Sequence, residues 1–238
     1  MSHAAMGHEV EVARRFDALQ ERFKTGLDDS DFRLAAIERA LGPVRGLTIL
    51  DLGCGKGRFA DRLNRRGARV VGLDVSWEML KQGRCRDRIQ ASSTRLPLPN
   101  GRIDAVIAVE VLQHVHAIDI TFQEIHRVLK PEGRVAIVDK YVFALNVDRP
   151  WLPNLLIKRI DERRGLGMYA PEAAARERWF GNRGLCRRLE KVGFANTASV
   201  GLLAPDEADR SIFRTCGWTR AMRLWTAQRA GGSTCRSV

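Results

Sequence analysis

Cysteine is scarce in this sequence, and the few cysteines that occur are scattered. They stand at positions 54, 85, 186, 216 and 235, an odd number with no Cys-x-x-Cys pair among them. Closely spaced cysteine pairs are typical of zinc sites, and an even set of cysteines is typical of a disulfide framework. We therefore expect no metal site and no disulfides. Free cysteines suit a reducing compartment, so we expect the protein in the cytoplasm.

Long apolar runs are also missing. No uninterrupted stretch approaches the roughly 20 apolar residues that a membrane-spanning helix needs. The first residues lack the apolar segment of a secretory signal peptide. We expect no transmembrane segment. What remains is a chain of 238 residues, 45% of them hydrophobic, which suits one α/β domain with a large core.

Acidic residues are few relative to basic ones. The chain has 40 Lys and Arg against 28 Asp and Glu, a formal net charge of +12. One interpretation is arginine spread over solvated helix faces. The other is a surface that attracts an anion, which could be nucleic acid, an acidic headgroup or a phosphorylated substrate. The densest basic stretch runs from 158 to 191 and includes Arg163 and Arg164.

The most informative segment is an apolar run, 49–52, that breaks into a glycine-rich turn at 53–57. The run predicts a buried parallel strand, and the residues after the turn predict a helix. Asp51 lies at the carboxyl end of this strand, where open α/β sheets bind ligands. The turn lacks the last glycine of the dinucleotide fingerprint, since Ala60 stands there. A carboxylate at Asp51 suits a ligand with a cationic amine rather than a pyrophosphate.

A second acid follows in an equivalent place. The run 68–73 predicts the next strand, and Asp74 ends it 23 positions after Asp51. An acid at the end of the second strand of a βαβ unit is placed to bind ribose hydroxyls. Ser76 is expected to cap the helix that follows. Met79 on that helix could lie over an adenine ring or pack in the core.

Alternating strands and helices predict a doubly wound, mostly parallel sheet of seven strands in an α/β fold. The strands are expected near 47–51, 69–74, 88–91, 103–109, 134–139, 194–201 and 222–228. The helices are expected near 57–66, 76–84, 117–129 and 183–192, after two N-terminal helices at 9–24 and 31–41.

Three regions are expected along the chain. Residues 1–44 would form a helical cap, and residues 45–230 would form the main domain. Within that domain, residues 141–182 break the alternation with prolines and glycines while supplying apolar bulk. The tail 231–238 is small and polar, and we expect it to be disordered.

The order of motifs between residues 45 and 140 resembles the class I S-adenosylmethionine-dependent methyltransferases. The subgroup is the one with the ubiquinone and menaquinone biosynthesis enzymes and related small-molecule enzymes. The matching segments are 51–57, 72–76 with 79–80, 96–99, 103–106, 111–115 and 124–133. This resemblance implies a Rossmann-like methyltransferase fold, S-adenosylmethionine as cofactor, and a lid at 141–182 over the substrate.

The resemblance also implies a cofactor site. Asp51 and the amides of the glycine turn would hold the methionine end, and Asp74 would hold the ribose hydroxyls. At the position where the family usually has an Asp or Asn for the adenine amino group, this chain has Ser92. The cofactor-binding residues expected are Asp51, Gly53, Cys54, Gly55, Lys56, Asp74, Val75, Met79, Ser92, Ser93 and Val109.

Glu110 and His114, just after the fourth strand, are the candidate catalytic residues. His114 could act as a general base, although methyl transfer from a sulfonium needs mainly orientation and exclusion of water. The expected acceptor is a small or lipid-like molecule, including an anionic one. An RNA-modifying enzyme and a non-catalytic binding domain are the alternatives. The Asp/Asn-Pro-Pro-aromatic turn of enzymes that methylate base amines is missing after the fourth strand.

Overall fold

The computed structural model describes residues 3–170, 172–173 and 175–231, with side chains from residue 7 onward. The strands are β1 Thr48–Leu52, β2 Arg69–Asp74, β3 Asp87–Gln90, β4 Ile103–Val109, β5 Leu129–Lys140, β6 Phe194–Leu202 and β7 Met222–Arg229. The helices are α1 His3–Leu19, α2 Phe32–Leu41, α3 Arg58–Arg65, α4 Trp77–Lys81, α5 Ile118–Val128, α6 Asn154–Arg163, α7 Asn182–Val192 and α8 Ser211–Thr215.

The seven strands form one sheet in the order β3-β2-β1-β4-β5-β7-β6. Neighbouring strands from β3 to β5 pair in parallel, whereas β7 runs antiparallel to both β5 and β6. The predicted α/β class, the seven strands and the mostly parallel sheet are confirmed. Each predicted strand and helix of the alternating core is present within a few residues of its expected position.

Both faces of the sheet are covered by buried apolar side chains. Alternate residues of each central strand point to opposite faces, so each strand contributes to both layers. In β4, Val106 and Ala108 join the layer that includes Phe122 and Ile125 of α5. Ala105 and Ile107 join the opposite layer, which includes Ile37 of α2. A strand buried on both sides needs a continuous apolar sequence, which explains why β1 and β4 were readily found.

The N-terminal helices pack near the carboxyl edge of the sheet. Asp31 caps α2, since its side chain accepts hydrogen bonds from the backbone amides of Arg33 and Leu34. Helix α1 lies against α4, where Asp17 accepts hydrogen bonds from the Ser76 hydroxyl and the Glu78 amide. The Ser76 hydroxyl also accepts from the Met79 amide, so the predicted cap of α4 is confirmed.

The segment 141–182 contains one helix, α6, and otherwise follows an irregular path. Two short bridges within the segment pair Tyr141 with Phe180 and Leu145 with Pro153. Backbone hydrogen bonds join the segment to the rest of the fold, since the amides of Tyr141 and Leu145 donate to the carbonyl oxygens of Ala221 and Thr219. Its function as a lid stays a prediction. The expected disordered tail lies outside the described residues except for Gly231. In the part of the chain that the structure describes, no helix combines the length and apolar character that crossing a bilayer requires.

Gly57 closes the turn between β1 and α3 at a point with no room for a side chain. Its φ is +68°, and a Cβ there would lie 2.8 Å from the backbone nitrogen of Cys85. Gly46 has a similar φ of +79°, but a Cβ there would meet no atom within 4 Å. Comparing substitutions at Gly46 and Gly57 therefore separates the free-energy cost of a left-handed backbone from that of a steric clash.

We expect Gly57→Ala to destabilise the fold more than Gly46→Ala. The left-handed backbone should cost either variant about 1–2 kcal/mol in free energy of unfolding. In Gly57→Ala the backbone of Cys85 must also shift, which should add roughly 1–3 kcal/mol. Urea unfolding of both variants measures the difference. Equal losses would contradict the close packing of the turn against Cys85.

Candidate cofactor and acceptor site

A cavity of about 280 Å³ opens at the carboxyl edge of the sheet. Its wall is built from the ends of β1, β2, β4 and β5, together with α1 and the segment 141–182. Twelve of the thirteen residues predicted for the site line it. They are Asp51, Gly53, Cys54, Gly55, Lys56, Asp74, Val75, Met79, Ser93, Val109, Glu110 and His114.

Asp51 is a buried acid in the wall of the cavity. Its side chain is buried, and burial together with the nearby negative charge of Asp74 raises its pKa to about 7. Its Oδ2 atom has no hydrogen-bond partner among the described residues. A buried carboxylate oxygen without a partner is costly, and a bound cation would relieve that cost.

The glycine turn lets the chain approach the cavity closely. Gly53 has a φ of +67°, and a Cβ there would lie 2.4 Å from Cγ2 of Val111. The amides of Gly53 and Cys54 both donate to the carbonyl oxygen of Leu73, at 2.7 and 3.0 Å. The turn is thus fixed to the end of β2, and its position depends on the absence of a side chain at residue 53.

Asp74 joins the two turns that border the cavity. Its Oδ2 accepts from the amide of Gly55 at 2.7 Å, and its Oδ1 accepts from the amide of Ser76 at 2.9 Å. Burial raises the pKa of Asp74 despite these hydrogen bonds. Each carboxylate oxygen can accept more than one hydrogen bond, so both remain able to bind hydroxyl groups of a ligand.

Ser92 is the one predicted cofactor residue that does not line the cavity. Its hydroxyl donates to Oε1 of Glu9 at 2.7 Å and lies 2.6 Å from the hydroxyl of Thr94. Glu9, on α1, does line the cavity. Ser93 lines it as well, and its hydroxyl pairs with that of Thr121. The carboxylate on the Ser92 side of the cavity is therefore that of Glu9, which lies 83 positions away in the sequence.

Glu110 is held by two arginines. One carboxylate oxygen lies 2.7 Å from Nη1 of Arg33 and 3.5 Å from Nη2 of Arg58. Glu110 itself has a φ of +57°, which is strained for a residue with a side chain. The sequence predicted Glu110 as part of the site but gave no sign that these arginines pair with it.

His114 is buried and uncharged at neutral pH. Burial, and then the positive charges of Lys140 and His8, lower its pKa to about 3. Its Nδ1 atom lies 2.9 Å from the hydroxyl of Tyr169, and its Nε2 atom lies 4.0 Å from Oε1 of Glu177. A neutral imidazole between a phenol and a carboxylate can pass or accept a hydrogen bond without carrying charge.

Lys140 and Glu177 form an ion pair beside His114, and both line the cavity. The Nζ atom of Lys140 lies 3.8 Å from Oε1 of Glu177. The neighbouring Asp139 is buried outside the cavity wall, and its two oxygens accept from the amides of Lys140 and Gln113. Burial raises the pKa of Asp139 to about 7. Asp139 therefore fixes the ends of β5 and of the turn after β4.

Several cavity residues were missed from sequence because they come from outside the βαβ motifs. Glu9 belongs to a surface-like helix, and Lys140 and Glu177 lie at the ends of the irregular segment 141–182. Lys140 had a detectable signal, since it directly follows a predicted buried strand on the ligand side of the sheet. The other cavity residues absent from the prediction are Val12, Phe16, Phe23, Lys24, Arg58, Phe59, Leu73, Ala91, Val111, Gln113, Val115 and Met168.

The cavity residues fit a ligand that carries an ammonium group and a ribose. The unpartnered oxygen of Asp51 suits the cation, and Asp74 suits two hydroxyl groups. The described part of the chain contains no group of three or more His, Cys, Asp or Glu arranged to hold a metal ion. The four described cysteines, Cys54, Cys85, Cys186 and Cys216, are free.

The chain is similar in sequence to known methyltransferases. A family model described as a methyltransferase domain matches residues 50–137. The demethylmenaquinone methyltransferase of Tropheryma whipplei is 31% identical over 211 residues, which cover 80% of this chain and 86% of the relative. The ubiquinone biosynthesis O-methyltransferase of Alkalilimnicola ehrlichii is 32% identical over 144 residues, which cover 54% of this chain and 58% of the relative.

A solved structure shares the fold. The S-adenosylmethionine-dependent methyltransferase of Mesorhizobium loti superposes with a TM-score of 0.65 at 21% identity, covering 84% of this chain and 99% of that one. The likeness to the Tropheryma protein extends over most of both chains, well beyond the matched domain. The chain therefore belongs to the class I S-adenosylmethionine-dependent methyltransferases.

Proposed function

We propose that this enzyme methylates a small hydroxylated aromatic molecule of the quinol type. The observation that carries the proposal is the Lys140–Glu177 ion pair, which lies beside neutral His114 in an otherwise largely apolar cavity. Such a pair suits a hydroxyl group that loses its proton when the molecule reacts. The names of the two relatives, which refer to menaquinone and ubiquinone, support the same acceptor class.

We propose that Asp51 binds the ammonium group of the cofactor and that Asp74 binds its ribose hydroxyls. Gly53, Cys54, Gly55 and Lys56 would border the methionine end. Val75, Met79, Ser93 and Val109 would border the ribose and adenine. When bound, S-adenosylmethionine supplies a methyl group activated by its sulfonium. The residues around it have to orient that methyl toward the acceptor and exclude water.

At the adenine side, we propose that Glu9 replaces the acid that the family usually carries in the position of Ser92. Glu9 lines the cavity, and its carboxylate is already oriented by the hydroxyls of Ser92 and Thr94. A carboxylate is a strong acceptor for the amino group of adenine. Ser92 would then act as a positioning residue for Glu9.

At the acceptor side, the Glu177 carboxylate takes the proton of the acceptor hydroxyl, and Lys140 stabilises the resulting oxyanion. Lys140 and Glu177 would thereby hold the electron-rich acceptor facing the methyl group that the bound cofactor would supply. His114 is positioned to hydrogen-bond the acceptor oxygen. Glu110, already paired with Arg33 and Arg58, is better suited to hold the end of β4 than to act as a base.

We also propose that the reaction takes place in the cytoplasm, where thiols stay reduced. The four free cysteines of the described chain support this location. An RNA acceptor has less support, because the reported relatives are named for small-molecule substrates. A non-catalytic binding domain also has less support, because the two motif acids, Asp51 and Asp74, both line the cavity.

Cofactor affinity should rise with pH through the titration of Asp51. Since burial raises its pKa to about 7, the free protein has to lose a proton there before Asp51 can hold an ammonium group. Below that pKa the affinity for S-adenosylhomocysteine should increase by up to roughly tenfold per pH unit. Calorimetric titration between about pH 5.5 and about pH 8 measures this slope.

Asp139 provides the control, because it is equally buried and its pKa is also raised to about 7, but it lies outside the cavity wall. Asp51→Asn should weaken binding at high pH and flatten the slope, whereas Asp139→Asn should keep the slope. A slope that persists in Asp51→Asn would remove Asp51 from the cofactor site.

Glu9→Gln should weaken binding of S-adenosylhomocysteine by roughly tenfold, the loss of one hydrogen bond to a charged group. It should also reduce the preference for adenine over hypoxanthine, which lacks the amino group. The affinities for S-adenosylhomocysteine and S-inosylhomocysteine measure both effects. Glu11→Gln, two positions further along α1 and outside the cavity wall, is the control. An unchanged preference in Glu9→Gln would show that the carboxylate does not contact the base.

Methyl transfer should occur to reduced naphthoquinols and not to the corresponding oxidised quinones, which have no hydroxyl to deprotonate. Lys140→Met and Glu177→Gln should each lower kcat/KM by roughly 100-fold or more while leaving cofactor affinity unchanged. Glu172→Gln, an exposed acid in the same segment, is the control for Glu177. Full activity of Glu177→Gln would refute its role as base, and inertness of all naphthoquinols would refute the acceptor class.

A further inference from the structure

Helix α6 presents an outward face that is both apolar and basic. Leu156 and Ile160 are 46% and 39% exposed, although both are large aliphatic residues. Arg159 and Arg163 are exposed on the same face, because positions three and four apart lie above one another on a helix. None of the residues of α6 is fully buried, so the helix lies on the surface of the fold.

Further apolar residues flank the helix at both ends. Trp151, just before α6, is 75% exposed, and Leu166, just after it, is 72% exposed. We refer to Trp151, Leu156, Arg159, Ile160, Arg163, Arg164 and Leu166 as the α6 face. Isolated exposed apolar residues are ordinary on a protein surface, but four large ones around a single helix form a contiguous candidate for contact.

Charge is divided between the two sides of α6. Its acids, Asp161 and Glu162, are half-buried on the inner side, and Glu162 pairs there with Lys158. Within the described part of the chain, Arg159, Arg163 and Arg164 form no ion pair or side-chain hydrogen bond. The outer side therefore carries uncompensated positive charge among apolar side chains. This combination is complementary to a surface that is anionic outside and apolar below, as a lipid bilayer is.

The same segment continues into the wall of the cavity. Met168 lines the cavity, and the Tyr169 hydroxyl lies 2.9 Å from His114. On the inner side of α6, Lys158 lies over the ring of Trp179, which also contacts Lys140. A partner bound to the α6 face would thus lie only a few residues along the chain from the acceptor end of the cavity.

We propose that the α6 face docks on the surface of an anionic lipid bilayer. The arginines would contact lipid phosphates, and Trp151, Leu156, Ile160 and Leu166 would enter the boundary between headgroups and acyl chains. The docking itself rests on the α6 face alone. Its use to the enzyme rests on the proposed function, since a quinol with a lipid tail is concentrated in bilayers.

Co-sedimentation with vesicles tests this proposal in the absence of cofactor and acceptor. The full chain should bind vesicles that contain phosphatidylglycerol and bind phosphatidylcholine vesicles much more weakly. Arg163→Ala with Arg164→Ala should lower the partition coefficient by about 30-fold, because each basic residue near an anionic surface contributes about 1 kcal/mol. Leu156→Ser with Ile160→Ser should also reduce it strongly.

Matched controls lie elsewhere on the surface. Arg39→Ala with Arg102→Ala removes the same charge from exposed positions near the opposite edge of the sheet, and Val200→Ser removes a side chain that is 53% exposed on β6. These variants should bind vesicles like the natural chain. Thermal unfolding of the arginine variants and of Val200→Ser should be unchanged. Leu156→Ser with Ile160→Ser should lower Tm somewhat, because both side chains are partly buried, so vesicle binding is measured well below its unfolding transition.

Two results would overturn the proposal. One is vesicle binding that is absent, or that falls equally in the control variants. The other is binding to bulk tRNA that depends on Arg163 and Arg164 while vesicles are ignored, which would assign the face to nucleic acid. Neither result bears on methyl transfer to soluble naphthoquinols, so a failure here is distinguishable from a failure of the proposed function.

Discussion

The burial of three aspartates at one edge of the sheet is the constraint on which the site depends. Asp51, Asp74 and Asp139 end β1, β2 and β5 or lie close to those ends, and Asp51 and Asp139 are fully buried while Asp74 is half-buried. Removing a carboxylate from water is costly unless hydrogen bonds replace the lost hydration. Backbone amides supply those bonds to Asp74 and Asp139 and thereby fix the turns around the cavity. Asp51 keeps an oxygen without a hydrogen-bond partner, so the desolvation of its carboxylate is not fully compensated. The proposed ammonium group of the cofactor would supply that compensation.

These acids also make the stability of the protein depend on pH in an unusual direction. The pKa of Asp51 and of Asp139 rises from an ordinary value of 3.8 to about 7 on folding. Between those two values the folded chain holds more protons than the unfolded chain. The contribution of these acids to the free energy of unfolding therefore falls as the pH rises through this window. At the proposed cofactor site, an ammonium group bound beside Asp51 would oppose that loss of stability and would stabilise the fold most near neutral pH.

The sequence was sufficient for the sheet and for most of the cofactor half of the cavity. Buried parallel strands need continuous apolar runs, and acids at their carboxyl ends stand out against such runs, as Asp51 and Asp74 do. The contributions of Glu9 and Glu177 could not be found in this way. Glu9 lies on a predicted helix whose orientation the sequence does not give, and Glu177 lies in a segment without periodicity. Each reaches the cavity only through long-range packing, of α1 or of the segment 141–182. For the same reason, the sequence could not show that Ser92 lies outside the cavity wall, because its hydrogen-bond partner Glu9 is 83 positions away.

Helix α1 touches both halves of the cavity at once, and this has a consequence for turnover. Glu9 lies at the proposed adenine side, while Phe16 packs edge-on against the ring of His114 at the acceptor side. Arg15 donates to the carbonyl oxygen of Met168, and Asp17 holds the start of α4. An outward movement of α1 breaks all of these contacts together. Because one helix contributes to both sides of the cavity, a substitution that displaces α1 should change the affinities for cofactor and acceptor together.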